Sequence, residues 1–284
     1  MTIFPASEVS RYAAFADRAD RGNPAGVVLH AQSLTPLEMQ RIATDVGYSE
    51  TAFVTSPLRR GTALTVRYFA PGGEVDFCGH ATISTAVALG HELGFGDFTL
   101  DTNVGNVLAS ATNAGTATSG AFQSPTISST PIDPGHLNDL LDYLGWDSTD
   151  LHPDYPPAIG FGGNHHPVLV AQKTSRLAEL SYDFEKLRAL CRAQNWVTIQ
   201  LIAPAGAGQW HSRNPFPWGG VIEDPATGAA AAAFAGYLKT LGRVTAGDQL
   251  TITQGLEMGR RSCINVKLLA TAALISGPVT PITA

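Results

Sequence analysis

The sequence is short of charge. Lys, Arg, Asp and Glu make up 15% of its 284 residues, against about a quarter in an ordinary globular chain. With 44% hydrophobic residues, this excludes an extended disordered protein, which needs the opposite balance. Positive charge is the scarcer sign: 18 Lys and Arg stand against 24 Asp and Glu, for a formal net charge of −6. No basic stripe gathers the cations, so the electrostatic footprint of a nucleic-acid protein is missing, and an anionic membrane surface is equally unsuited. The three cysteines, Cys78, Cys191 and Cys263, are too few and too scattered for a disulfide framework or a zinc knuckle. Long hydrophobic runs are absent too. The longest small-apolar run, 228–236, is far short of the roughly 20 residues that span a bilayer. Residues 1–14 lack the basic and apolar regions of a signal peptide. No glycine-rich phosphate fingerprint is present, which argues against a nucleotide or flavin cofactor. The expectation is a cytoplasmic protein with no metal, no cofactor, no nucleic-acid partner and no membrane partner.

What is present is material for a core, in a chain near the length of roughly 250–300 residues at which single cores divide. Residues 9–15, 25–29, 49–54, 62–69, 98–102 and 106–111 read as strands. Thr35-Pro36-Leu37-Glu38 is a capping box with Pro at the first helical position, and it opens a helix that ends at Gly47. Residues 79–93 are small and apolar on nearly every side, the mark of a buried helix. The Ser/Thr/Ala/Gly-rich stretch 112–130 reads as a linker, or as strands with polar faces around a crossover. Helices are expected at 133–145 and 183–193, the second capped by Asp183. Strands are expected at 168–171, 197–203, 250–253, 262–269 and 272–276. A second helix that is apolar all round follows Glu223–Gly228 and runs to Leu241. The two buried helices superpose at an offset of 148: Ala81 on Ala229, Leu93 on Leu241, Gly94 on Gly242, and just before them Asp76 on Asp224. This spacing suggests two related lobes, each a curved sheet around one central helix.

Three segments are chemically particular. In Tyr48-Ser49-Glu50-Thr51-Ala52-Phe53, Glu50 leaves a helix end and enters an apolar strand, where loss of solvation would favour a general base. Periodicity alone supports the plainer reading of a loop or capping glutamate better. In Asp76-Phe77-Cys78-Gly79-His80-Ala81-Thr82, a helix N-terminus offers free N–H groups to an anion. His80 there is an acid–base group or, equally, a satisfied core histidine. Cys78 reads as a buried small hydrophobe. In Glu223–Gly228, Asp224-Pro225 follows N-cap and N1 grammar, which alone accounts for Asp224. Asn164-His165-His166 reads as a turn rather than a metal site. Residues 210–218, aromatic and Pro-rich, read as a loop, and 254–260 as a polar loop between strands.

Five ordered segments resemble the PhzF family of phenazine-biosynthesis isomerase-like proteins. They are Gly22-Asn23-Pro24-Ala25-Gly26-Val27-Val28, Ser49-Glu50-Thr51-Ala52-Phe53, Phe77-Cys78-Gly79-His80-Ala81-Thr82, Glu223-Asp224-Pro225-Ala226-Thr227-Gly228 and Gln254-Gly255-Leu256-Glu257-Met258-Gly259-Arg260. The resemblance implies an α+β, diaminopimelate epimerase-like fold, with two pseudo-symmetric lobes and a cleft between them. The boundaries expected are 1–118 with 270–284, and 119–269. In the wider fold, epimerases carry a catalytic cysteine at each central helix start. Matched onto this chain by the resemblance, those positions are Gly79 and Thr227, which the 148 offset also relates; neither is a thiol.

The resemblance implies a cofactor-free isomerisation in which Glu50 moves a proton on a small carboxylic acid, assisted by His80 and Asp224. Asn23, Gly79, Ala81, Thr227, Gly228 and Ala229 would bind substrate. The family serine is replaced by Ala229. A homodimer is the implied assembly. The alternatives are an amino-acid epimerase or racemase with two non-thiol bases, and a non-catalytic binder of small acids.

Overall fold

The computed structural model describes residues 9–115 and 117–283; the first eight residues of the segment read above for a signal peptide lie outside it. Two compact units are present, one comprising the chain up to Gln123 together with Ser276 onward, the other Ser124–Ile275.

The first unit contains β1 (Ser10–Ala14), β2 (Asn23–Val28), α1 (Pro36–Val46), β3 (Glu50–Val54), β4 (Ala63–Ala70), β5 (Gly73–Val75), α2 (Gly79–Leu93), β6 (Gly96–Thr102), β7 (Gly105–Ala114) and β8 (Ala117–Gln123). The second contains β9 (Ser128–Pro131), α3 (Pro134–Leu144), β10 (Ala158–Phe161), β11 (His165–Val170), α4 (Thr174–Ala178), α5 (Phe184–Gln194), β12 (Gln200–Gly206), β13 (Gln209–Pro215), β14 (Glu223–Asp224), α6 (Gly228–Thr240), β15 (Gln249–Gln254) and β16 (Ser262–Leu268). The last strand, β17 (Ala273–Pro281), begins in the second unit and returns the chain to the first.

In the first unit the pairing closes on itself. It runs β17, β1, β2, β3, β4, β6, β7, β8 and back to β17. Closure leaves no free sheet edge among these strands. The central helix α2 packs against β1, β2, β3, β7 and β8, and its first twelve residues are buried. Its polar members survive there because each hydroxyl donates to a carbonyl one turn back: Thr82 to Cys78 O at 2.7 Å, Ser84 to His80 O at 2.9 Å and Thr85 to Ala81 O at 2.8 Å. Buried polar groups are tolerated when paired in this way.

The second unit repeats the plan. Its order is β9, β10, β11, β12, β13, β15, β16, with β14 added to β13. Parallel pairs fall at β11–β12 and β13–β15, as they do at β2–β3 and β4–β6. The alanine-rich α6 packs against β9, β10, β11 and β16. Outside the sheet, α3, α4 and α5 bury Leu140, Leu144, Leu177, Leu187 and Cys191 in a second apolar cluster.

Several expectations hold to the residue. Thr35 and Glu38 form the capping box of α1, and Gly47 ends it in the left-handed conformation at φ 69°. Asp183 caps α5 as expected; Asp133, expected only as a helix start, also proves to cap α3. The 112–130 stretch takes the second of its two expected forms, strands rather than a linker, since β7, β8 and β9 occupy most of it. Others need correction. His165 and His166 lie on β11, not in a turn, and 209–215 form β13 with Trp210 buried against Phe234. Among the described residues no helix is long and apolar enough to cross a membrane.

Candidate active site

The starts of the two central helices organise the particular segments, one in each unit. Their N-caps are Cys78 and Thr227, so the registers of the helix starts differ by 149 residues, not 148. Cys78, not Gly79, is therefore the counterpart of Thr227, and His80 the counterpart of Ala229. Asp224 corresponds to Val75 rather than to Asp76. Nor does Asp224 cap α6: it belongs to β14, opposite Asn214.

In the first unit, the left-handed Gly47 turns the chain out of α1 so that Ser49 and Glu50 enter β3. Parallel pairing sets Ala25 of β2 beside Glu50. Asn23, two residues earlier and 1% exposed, shares the face of Ala25. The N-terminus of α2 brings in His80, which is the hub of the group. Glu50 Oε2 lies 3.4 Å from His80 Nε2, and Ser49 Oγ lies 3.2 Å from the same nitrogen. Asn23 Nδ2 is 3.2 Å from Nδ1, and Ser49 donates to Asn23 Oδ1 at 3.4 Å. One tautomer satisfies the hydrogen bonds: Nδ1 accepts from the Asn23 amide, and Nε2 donates to Ser49 Oγ, with the Glu50 carboxylate close by at 3.4 Å. Burial pushes the imidazole pKa down, against the pull of the Glu50 charge, so His80 is a neutral donor near pH 7. The sequence reading did not anticipate the Ser49 contact; Ser49 is half-buried in the same network.

Glu50, Cys78 and His80 each bring a ligand atom within 4.8 Å of the others. The Cys78 sulfur is 3.2 Å from Nδ1 and 3.8 Å from Nε2. Such near-equal distances place it over the ring, not on the in-plane lone pair of either nitrogen. The set does not converge on one point as a zinc site does.

In the second unit Asp224 is 8% exposed and is held from three directions. Thr227 Oγ1 donates to Asp224 Oδ2 at 2.6 Å. Gln254, at the end of β15, donates to the Asp224 carbonyl at 2.7 Å. The adjacent Glu223 receives a two-pronged ion pair from Arg213, at 3.0 and 2.5 Å, and both residues are buried. Arg213 also donates to Leu177 O at 3.0 Å. Ser262 ties the Pro225 carbonyl at 2.9 Å. At Gly255 the backbone is left-handed (φ 74°), and a Cβ would meet Arg260 O at 2.6 Å and Pro225 O at 2.8 Å. Only glycine fits that turn. Gly228 and Ala229 open α6 and are buried.

The structure thus gathers Asn23, Glu50, Gly79, His80 and Ala81 in the first unit, and Asp224, Thr227, Gly228 and Ala229 in the second. His166 joins neither group. It is fully buried and bonded through Nδ1 to Thr198 Oγ1 at 2.9 Å.

Known proteins resemble this chain in sequence and in fold. The family model PhzC-PhzF, described as "Phenazine biosynthesis-like protein", matches residues 12–280. The trans-2,3-dihydro-3-hydroxyanthranilate isomerase of Pseudomonas fluorescens is 34% identical over 257 residues, covering 89% of this chain and 87% of that one. The crystal structure of a Bacillus anthracis phenazine biosynthesis protein, PhzF family, superposes with a TM-score of 0.85 at 26% identity, covering 97% of this chain and 96% of the other. A probable proline racemase from Agrobacterium radiobacter, at 13% identity and a TM-score of 0.66 over 96% of this chain and 90% of that one, shares the fold.

Proposed function

The chain belongs to the phenazine biosynthesis-like PhzC-PhzF family of isomerases, and from that premise we propose that Glu50 is its single acid–base group, moving a proton on a small carboxylic acid without a cofactor. The observation that carries this reading is the unequal furnishing of two equivalent positions. Glu50 follows the left-handed helix end Gly47 by three residues, and Thr198 follows the left-handed helix end Asn195 by three. Ala25 pairs with Glu50 in parallel register, and His166 bonds Thr198 Oγ1 at 2.9 Å just ahead of the parallel β11–β12 pairing that begins at Val168 and Gln200. The first unit therefore carries Glu50 and His80 where the second carries Thr198 and Ala229. A two-base epimerase needs a second free base. The position matching Glu50 bears a hydroxyl, committed to Asn214 at 3.0 Å, and the Asp224 carboxylate is already engaged by Thr227 Oγ1 at 2.6 Å. A single base serves a reaction in which a proton leaves one carbon and returns at another.

Glu50 takes a proton from an acidic C–H of the substrate, and the electron pair shifts along the adjacent unsaturated system. The protonated carboxyl then returns the proton at the far carbon, so the atoms balance with no oxidant or reductant. Neutral His80, with Nε2 at 3.4 Å from Glu50 Oε2, stands beside the carboxylate and supports it while it is charged. Asn23 fixes the tautomer of His80. Gly79 and Ala81, with Asp224, Thr227, Gly228 and Ala229, are assigned to substrate binding. Backbone N–H groups at helix starts suit a carboxylate, which an overall net charge of −6 does not forbid.

The probe is trans-2,3-dihydro-3-hydroxyanthranilate in D₂O, the compound named for the Pseudomonas relatives. Wild type is expected to yield isomerised product carrying deuterium. Glu50→Gln should lower the rate by about 10²–10⁴, the usual worth of a positioned acid–base group. Exchange that survives Glu50→Gln would sink the assignment.

A further inference from the structure

We propose that Gln254 is a positioning residue for the substrate-binding segment of the second unit, and that it acts through the donor atoms of its amide. The proposal rests on the reading above, in which Asp224 and the start of α6 bind the substrate. Gln254 is 1% exposed, and three of its contacts converge on one short segment. Its Oε1 accepts from the Thr227 backbone N–H at 3.1 Å. Its Nε2 donates to the Asp224 carbonyl at 2.7 Å and to Thr227 Oγ1 at 3.1 Å.

These contacts fix which way the amide faces. Turned over, Nε2 would meet an N–H and Oε1 would meet a carbonyl, both repulsive. Direction then passes along a chain. Gln254 Nε2 donates to Thr227 Oγ1, so the single hydroxyl proton of Thr227 points to Asp224 Oδ2 at 2.6 Å. The Asp224 carboxylate is thereby oriented as an acceptor by a residue 30 positions away. The same amide occupies the N-cap N–H of α6, which leaves the donors of the next residues, Gly228 and Ala229, as those available to an anion.

The test uses two variants and anthranilate, the aromatic acid on which the relatives' substrate name is built, as the binding probe in calorimetric titration. Gln254→Met keeps the length and removes every hydrogen bond. Gln254→Glu keeps the acceptor for Thr227 N–H, but supplies a donor only when the introduced carboxyl is protonated. Gln254→Met should bind anthranilate about tenfold more weakly or worse at every pH, since buried donors and acceptors lose their partners. Gln254→Glu should be as weak at pH 8 and recover toward wild type as the pH is lowered to 5.5. A merely structural substitution would show no such recovery. Wild-type affinity in both variants overturns the role of Gln254 and leaves the Glu50 assignment standing. Failure of wild type to bind anthranilate overturns the carboxylate-binding reading and this role together, and deuterium wash-in still tests Glu50 separately. If Gln254→Met does not fold, Gln254→Glu carries the test alone, and a pH-independent affinity overturns the proposal.

Discussion

Arg213 anchors the segment just before Asp224. It is 8% exposed and paired with Glu223, itself 6% exposed, immediately before Asp224. Burial of two charges is tolerated here because the guanidinium fork matches the carboxylate and a third donor is spent on Leu177 O. Such pairs are costly to break and nearly neutral to replace. Arg213→Leu should therefore destabilise the chain by about 3–5 kcal/mol by stranding Glu223. The double variant Arg213→Leu/Glu223→Leu should recover most of that loss, as read from urea midpoints. A double variant no more stable than the single one would show that the ion pair is not the source. Neither residue was conspicuous in the sequence as a pair, since they lie on different strands and meet only through the β13–β14 turn. Glu50 and His80 were legible through the motifs around them. Their partner Ser49 and the tautomer set by Asn23 were not, because a hydrogen-bond network is a property of three-dimensional convergence, not of spacing.

At the scale of elements, the helices were easier to read than the strands. Capping chemistry is local, so Thr35 and Asp183 marked their helices correctly. The central helices were visible because they are apolar all round. Strand β13 was not, since its inward residues Trp210, Ser212 and Asn214 mix aromatic and polar types and its Pro and Trp content mimics a loop. Asp224 misled as a cap because Asp-Pro is helix-start grammar, yet Thr227 holds the cap position and the aspartate is withdrawn into β14.

Packing of strand on helix was also illegible, although its trace is present as glycine. A Cβ on Gly120 of β8 would lie 2.6 Å from Ile83 O of α2, and one on Gly160 of β10 would lie 2.7 Å from Ala233 O of α6. Both sheets approach their central helix at a distance only glycine permits. Gly120→Ala and Gly160→Ala should each cost about 1–3 kcal/mol through forced backbone shifts. Gly72→Ala, where nothing lies within 4 Å, should change stability by less than about 1 kcal/mol. Thermal melts of the three variants decide it. Equal losses at all three sites would mean that backbone freedom, not close approach, explains these glycines.

On the scale of the whole molecule, the repeated topology has been furnished unequally, and the inequality extends to proton binding. Each unit buries one histidine near the start of the strand layer or helix that defines its polar end: His80 in the first, His166 in the second. Both pKa values are lowered chiefly by burial. The Glu50 charge partly opposes the shift at His80, and the Thr198 carbonyl does so at His166, where the value falls to about 3. A histidine unfolded at its ordinary value near 6.5 takes up a proton that the folded chain refuses. Between the folded and unfolded values the unfolded state therefore binds more protons, and stability rises with pH. The contribution is complete above about 6.5 and is lost progressively as pH falls, down to about 3 for His166. The ion-paired carboxylates Glu74 and Asp150, whose values are lowered, give way at the acid end of that range, so the interval from about 6.5 to 4.5 isolates the histidines. Urea midpoints should hold steady from pH 8 to 7 and decline through that interval. Their slope should flatten in His166→Leu, a variant that trades a buried polar ring for an apolar side chain and no longer takes up the proton on unfolding. An unchanged slope in His166→Leu would mean that His166 is protonated in the folded chain, at odds with its burial and its bond to Thr198.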